Sequence, residues 1–339
     1  MKLKILPLCL LGLMALPAAA LEAEKPSSLP GKSRPAMLVV ADKAEDTISL
    51  VNLKTLQVEG KVATGRGPHE VAVTPDGKLA FSANYEGPGD SISIIDLETR
   101  KEKGRIRLDP YRRPHGLAVS KDGRMLYATC EANQSVLEIE IATGKISRAF
   151  PTGEHITHML ALAPEGKRLY AANIGSGTVT ALDLVEGRVV AQIATGAGCE
   201  GIDVAPDGKE AWATNREADT ISIIETGTNR VLESLPCSGF PIRLKFTPDG
   251  KMALITCYEE NSVAVFDAAA RKEIRRIRPS GSFPFRNPIG LVIEPEGQRA
   301  FFSDTRGDRV LVIDLATLTI VDGIPVGKEP DGLACAPAR

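Results

Sequence analysis

One turn signature recurs six times: Pro75-Asp76-Gly77-Lys78, Lys121-Asp122-Gly123-Arg124, Pro164-Glu165-Gly166-Lys167, Pro206-Asp207-Gly208-Lys209, Pro248-Asp249-Gly250-Lys251 and Pro295-Glu296-Gly297-Gln298. Successive glycines lie 46, 43, 42, 42 and 47 residues apart. A period near 40 with several short strands per period marks a propeller, whose blades must stack to bury their apolar faces. Equivalent positions in the repeats then become comparable.

Around each turn the same unit is visible. A short alternating run precedes it, as in Val71-Ala72-Val73 or Ile202-Asp203-Val204, and an apolar run follows, as in Leu126-Tyr127-Ala128-Thr129 or Ala211-Trp212-Ala213-Thr214. A third run alternates polar and apolar residues (Ser91-Ile92-Ser93-Ile94, Thr220-Ile221-Ser222-Ile223), and a fourth follows a further turn (Arg188-Val189-Val190-Ala191, Arg230-Val231-Leu232-Glu233). Period-2 alternation with β-branched residues between turn clusters is a strand-and-hairpin pattern. The Asp-Gly step fits tight hairpins, whose turns need positive φ. Four strands per unit predict an all-β chain of four-stranded blades.

The two ends predict how the ring closes. Val326 to Pro337 aligns without gaps to Thr64 to Pro75, so the C-terminus supplies an innermost strand with nothing after it, whereas Met37–Ala41 opens on a second strand and lacks a first. A composite blade that joins the two ends would hide open sheet edges. Six whole units and one shared unit predict seven blades over residues 35–339.

The second-strand runs end Ala41-Asp42, Ala83-Asn84, Thr129-Cys130, Ala172-Asn173, Thr214-Asn215, Thr256-Cys257 and Ser303-Asp304. Over about residues 35–339 this pattern resembles the YVTN family of β-propeller repeat proteins, although most copies depart from the Tyr-Val-Thr-Asn consensus. The resemblance implies a seven-bladed propeller and leaves activity open, since one fold hosts many functions.

The N-terminus reads as an export leader. Lys2 and Lys4 precede the apolar run Ile5–Leu16, and Ala18-Ala19-Ala20 supplies small residues for cleavage. The expected organisation is a signal peptide at 1–20, a flexible tail at 21–34 and the propeller at 35–339, with a periplasmic destination. The run is too short to span a bilayer comfortably. Net charge is −2 and aromatic residues make up only 4%. Both argue against nucleic acid as a partner, and a monomer without membrane insertion is expected.

Five cysteines follow the leader, so an odd thiol remains whatever the pairing. Cys199 and Cys237 fall in consecutive blade-to-blade connections, which makes their pairing one open alternative. Cys335 reads as a small buried hydrophobe.

The second position of each inner strand, which follows a proline in five of the seven blades, carries the functional signal. It holds His69, His115, His158, Glu200, Ile242, Ile289 and, at the C-terminal end, Asp331. Three of only four histidines thus occupy one repeat position in consecutive blades, flanked by Glu200 and Asp331. Innermost strands line the channel of a propeller, so these side chains are expected to converge at its mouth. Imidazoles with carboxylates make a ligand set for copper or zinc. Hydration of a polar channel mouth is the simpler alternative.

Arg66, Arg113 and Arg243 neighbour these positions and are candidates to bind an anionic ligand, or to pair with nearby acids such as Glu70. The long connections Tyr85–Asp90 and Ser280–Asn287 overlie the same face, where Phe283 and Phe285 form an apolar lip or pack inward. No nucleophile elbow, phosphate-binding glycine loop, His-Glu-x-x-His or Cys-x-x-Cys-His motif is present in the sequence. The expected function is therefore binding of a transition metal, or of a metal-containing or anionic ligand, rather than catalysis. A metal-free scaffold for a periplasmic protein partner and a metal-dependent hydrolase or oxidoreductase remain the alternatives.

Overall fold

The computed structural model describes Met1 and residues 36–339; the signal peptide and tail expected at 2–34 lie outside the described residues. The described residues 36–339 form seven four-stranded antiparallel sheets. The expected seven-bladed propeller is what the chain forms. Its only helical elements among the described residues are two 3-10 turns, Lys43–Glu45 and Glu131–Asn133. No helix among them is long and apolar enough to cross a membrane.

Blade 1 is the composite one. The C-terminal strand Pro330–Ala336 pairs with Met37–Asp42, with Met37 opposite Ala336 and Val40 opposite Leu333. The inner strands of blades 2 to 7 are Pro68–Val73, Pro114–Val119, Thr157–Leu162, Cys199–Val204, Pro241–Phe246 and Pro288–Ile293. Each is followed outward by its second, third and fourth strands.

Alternation along the strands builds the core. Side chains on one strand point to opposite faces, so each blade buries apolar residues against both neighbours. Seven apolar clusters result, each shared by two adjacent blades; Trp212 and Ile223 of blade 5, for example, pack on Phe246 and Phe266 of blade 6. Blade 1 meets blade 7 in the same way, through Leu38, Val40 and Leu333 against Phe301 and Val310. Phe285 lies 3% exposed against Phe302 at 5.0 Å, so the long connection before blade 7 packs inward rather than forming a lip.

Every inner strand carries a bulge at the same place. In blade 2, Pro68 pairs with Asn84 and Val71 with Ser82, which leaves His69 and Glu70 opposite the single residue Ala83. The same slip recurs at residues 115–116, 158–159, 200–201, 242–243 and 289–290. A hydroxyl on the second strand satisfies the displaced backbone: Gly116 N–H donates to Thr129 Oγ1 at 2.8 Å, Gly201 to Thr214 at 2.8 Å and Gly290 to Ser303 at 2.6 Å. Thr129, Thr214 and Thr256 in turn donate to the carbonyls of His158, Ile242 and Ile289 in the next blade.

Deleting residues 330–339 removes the closing strand and exposes the edge of Met37–Asp42. A loss of more than about 4 kcal/mol in unfolding free energy is expected, beyond what most single substitutions cause. Denaturant unfolding of the truncated protein checks this; a wild-type midpoint with a monomeric chain would overturn the closure.

Candidate functional site

The bulges aim the candidate side chains. A bulge bends its strand and re-directs the residues that have no partner. The first bulge residue of each blade is the one singled out from sequence, and it faces the channel mouth; the second is Glu70, Gly116, Met159, Gly201, Arg243, Gly290 or Gly332. Glycine at four of these is required by close approach. A Cβ on Gly116, Gly201, Gly290 or Gly332 would lie between 1.9 and 2.7 Å from a carbonyl oxygen of the next inner strand.

His115 and His158 are stacked, with ring centroids 3.6 Å apart, and His69 meets His115 edge-on at 5.3 Å. Glu131, the first residue of the short 3-10 turn of blade 3, closes the group. Its Oε1 lies 2.5 Å from His158 Nδ1, and its Oε2 accepts from Tyr85 Oη at 2.6 Å. His115, Glu131 and His158 each offer a ligand atom, and the three atoms lie within 4.8 Å of one another. His115 is 2% exposed, and its Nδ1 is buried with no hydrogen-bond partner. His69 Nδ1 is 2.9 Å from the Gly67 carbonyl, which places the proton on Nδ1 and leaves Nε2 bare.

Glu200 and Asp331 are held by cations of the protein. Glu200 accepts from Arg216 Nη1 at 2.5 Å and from Arg243 Nη1 at 2.8 Å, and its Oε1 is also 3.5 Å from His158 Nε2. Lys43 Nζ lies 3.4 Å from Asp331 Oδ2, while Asp331 Oδ1 is buried without a partner. Arg243, a candidate to bind an anionic ligand or to pair with nearby acids, pairs with two carboxylates. It is 5% exposed, and its Nε and Nη2 reach Glu70 Oε1, on an inner strand across the channel, at 3.0 and 2.7 Å. Arg66 and Arg113 are exposed at the mouth, with the Arg113 guanidinium 5.3 Å over the Tyr85 ring.

The electrostatics follow from burial and pairing. Burial, then repulsion from His158 and His69, hold His115 well below its ordinary 6.5, so it is neutral. Burial also works against a charged His158, but hydrogen bonds to Glu131 and Glu200 outweigh it and raise His158. For Glu200, burial opposes ionisation; the His158 bond and the charges of His158, Arg243 and Arg216 prevail and bring it to about 2. A histidine whose charged form is favoured therefore stacks on one whose neutral form is favoured.

A depression of about 450 Å³ opens over this group, lined by Tyr85, Arg113, Glu131, Ile156, His158 and Arg216. A larger cleft of about 790 Å³ at the rim of blades 6 and 7 holds Arg286, Arg306 and Arg309 but none of these histidines. Arg309 and Arg306 there are paired with Asp304 at 2.9 Å and Glu329 at 3.2 Å. The smaller depression is the one that reaches the titratable cluster.

Sequence comparison of the first bulge position alone does not find Glu131. The signal lies one residue past each second strand, where Lys43, Tyr85, Glu131, Ile174, Arg216, Tyr258 and Thr305 stand in register. Four of these, Lys43, Tyr85, Glu131 and Arg216, hold or join the ring residues.

Removing the Arg243 side chain leaves Glu70 and Glu200 buried beside one another's charge. Arg243→Ala is expected to cost about 3–5 kcal/mol by denaturant unfolding, the range for orphaning a buried ion-pair partner; a loss below 1 kcal/mol would remove the strut. In metal-free protein, NMR titration should find His158 above 6.5 and His115 well below it. Folded-state pKa values lowered at His115 and Glu200 mean the unfolded chain binds more protons, so acidification from 6.5 downward erodes stability. The raised His158 contributes fully below 6.5, and its share is lost as pH rises through its folded value. The reverse order of the two histidines would overturn this account.

No curated protein matches the sequence. Among solved structures the chain is similar to the Kuenenia stuttgartiensis hydrazine synthase, at 22% identity and TM-score 0.69, over 78% of this chain and 88% of that one. A functionally unknown protein from Desulfotomaculum acetoxidans aligns at 14% identity and TM-score 0.75, over 89% and 99%. The dihydro-heme d1 dehydrogenase NirN, solved in complex with DHE, aligns at 16% and 0.66, over 90% and 77%. At such identities these likenesses concern the fold. A family model described as a YNCE-like beta-propeller matches residues 112–286, just over half of the chain and the stretch that carries His115, Glu131, His158, Glu200 and Arg243. This chain belongs to the YNCE-like beta-propeller family.

Proposed function

We propose that this protein is an exported propeller that binds a transition metal, zinc or copper, at the channel mouth through His115, Glu131 and His158. The observation that carries the reading is the buried, unpartnered His115 Nδ1 beside Glu131 and His158 within a 4.8 Å group. A buried polar nitrogen without a partner costs stability, and a cation would supply the missing contact. Two imidazoles and a carboxylate suit zinc or copper and leave room for a further ligand.

His158 Nδ1 and Glu131 Oε1 now share a hydrogen, which they would have to give up to hold a cation. Tyr85 on Glu131 orients the carboxylate from behind, as outer partners of metal ligands commonly do. His69 stands beside the set with its Nε2 bare, while Glu200 balances charge through Arg216 and Arg243. Arg66 and Arg113 at the rim would receive an anionic group carried with the metal. No nucleophile accompanies this arrangement, which supports binding over turnover.

The test is metal analysis and calorimetric titration of untagged protein with zinc(II) and copper(II). One equivalent is expected, weakened at least tenfold in both His115→Ala and Glu131→Gln. Because the ligands must give up protons, affinity should also fall by up to about tenfold per pH unit on acidification. Binding unchanged in both variants, or absent for both metals at pH 8, would overturn the reading.

A further inference from the structure

Two of the cysteines lie against each other. Cys237 and Cys257 are 1% and 0% exposed, with Sγ atoms 3.9 Å apart. Cys199, the alternative partner for Cys237, is buried instead in the apolar cluster between blades 4 and 5.

Repeat register shows what the pair replaces. In blades 2 and 5 the same two positions are Thr64 with Asn84 and Thr195 with Asn215. There the asparagine ties its blade to the incoming connection. Asn84 accepts from Gly65 N–H at 3.1 Å and donates to Ser91 and Ser93, both at 3.1 Å. Asn215 accepts from Gly196 N–H at 3.1 Å and donates to Thr220 and Ser222. Blade 6 loses this device entirely: asparagine becomes Cys257, threonine becomes Cys237, and the second hydroxyl position becomes Ala264. Blade 3 is an internal control, since Cys130 also stands in for asparagine but packs among apolar residues with no sulfur beside it. Only where both positions changed together do two sulfurs meet.

We propose that Cys237 and Cys257 form a disulfide that replaces the asparagine tie of the other blades and fastens the connection into blade 6. From the 3.9 Å contact the sulfurs need to approach by about 1.9 Å to reach bonding distance. The two sulfurs are in hydrogen-bond contact, and Arg276 nearby adds positive charge that favours a thiolate in the pair. The oxidant is a disulfide, either of an exchange protein in the export compartment or of oxidised glutathione. The Cys257 thiolate attacks one of its sulfurs and releases one thiol. Cys237 sulfur then displaces the other, so two protein thiols become one disulfide and the oxidant becomes two thiols. Burial of both sulfurs sets this step during folding, before the blades close.

The tie reaches the functional face. The connection it fastens carries Phe240, whose ring lies 5.1 Å from the Arg216 guanidinium, and Arg216 holds Glu200. The disulfide itself stands independently of any metal.

The experiment refolds the full chain in a glutathione redox buffer, blocks free thiols with iodoacetamide in denaturant, and maps the peptides by mass spectrometry. The Cys237 and Cys257 peptides are expected joined and two hydrogens lighter, with Cys130, Cys199 and Cys335 alkylated. Alkylation of both Cys237 and Cys257, or a link from Cys237 to Cys199, would overturn the proposal. Melting of the wild type with and without reductant gives a second measure: several degrees are expected to be lost on reduction, and Cys237→Ser should melt like the reduced protein. An unchanged wild-type melting temperature would remove the fastening role.

Discussion

The structure depends on a bulge repeated in every inner strand and, in blades 3, 5, 6 and 7, on the hydroxyl that clamps it. Two bulge residues face one partner residue, which breaks the ladder and would orphan a buried N–H. Thr129, Thr214 and Thr256 each accept from that N–H and donate onward to the bulge carbonyl of the next blade. One side chain thereby repairs its own strand and sets the spacing to its neighbour. Channel-facing residues are aimed by this device, so the site inherits its geometry from the repeat rather than from flexible loops.

Burying so many charges at the mouth is possible only because they alternate. Glu70, Arg243, Glu200 and Arg216 form a chain of contacts between 2.5 and 3.0 Å, and Glu200 hands on to His158 at 3.5 Å. Each buried carboxylate in this chain meets a cation, so the desolvation cost is offset by pairing at each step. Arg243 has the reach to join blades on opposite sides of the ring, and its contact with Glu70 crosses the channel. The charge chain thus makes a polar network at the inner strands, and His158 is its link to the other histidines.

The fold was legible because its cause is periodic. The six glycine turns and the strand alternation reflect backbone requirements repeated from blade to blade, and the gapless match of Val326–Pro337 to Thr64–Pro75 marks where the ring closes. The first bulge residues were legible for the same reason, although their convergence was not. A ring of seven strands is too wide for five short side chains to meet at one point. His115 and His158 meet as neighbours, and the third group is Glu131 from the strand-end turn between them. Its register position, shared with Lys43, Tyr85 and Arg216, was readable in the repeats but has no histidine to draw attention to it. The Arg243–Glu70 contact, 173 residues apart and across the ring, has no local signature at all.

The bulge also explains why chemistry concentrates where it does. At the second bulge position a Cβ on four of the seven residues would strike a carbonyl of the next strand, so those four are glycine; the other three are Glu70 and Arg243, which meet across the channel, and Met159, which packs in the apolar cluster with blade 5. The first position carries no such restriction and accepts histidine, glutamate, aspartate or isoleucine within one chain. Blades 6 and 7 use it for Ile242 and Ile289, while blades 2 to 4 use it for histidine. The mouth is thus polar on one arc and apolar on the other. The polar arc is densest between blades 3 and 4, where His115 stacks on His158 and His158 in turn meets Glu131.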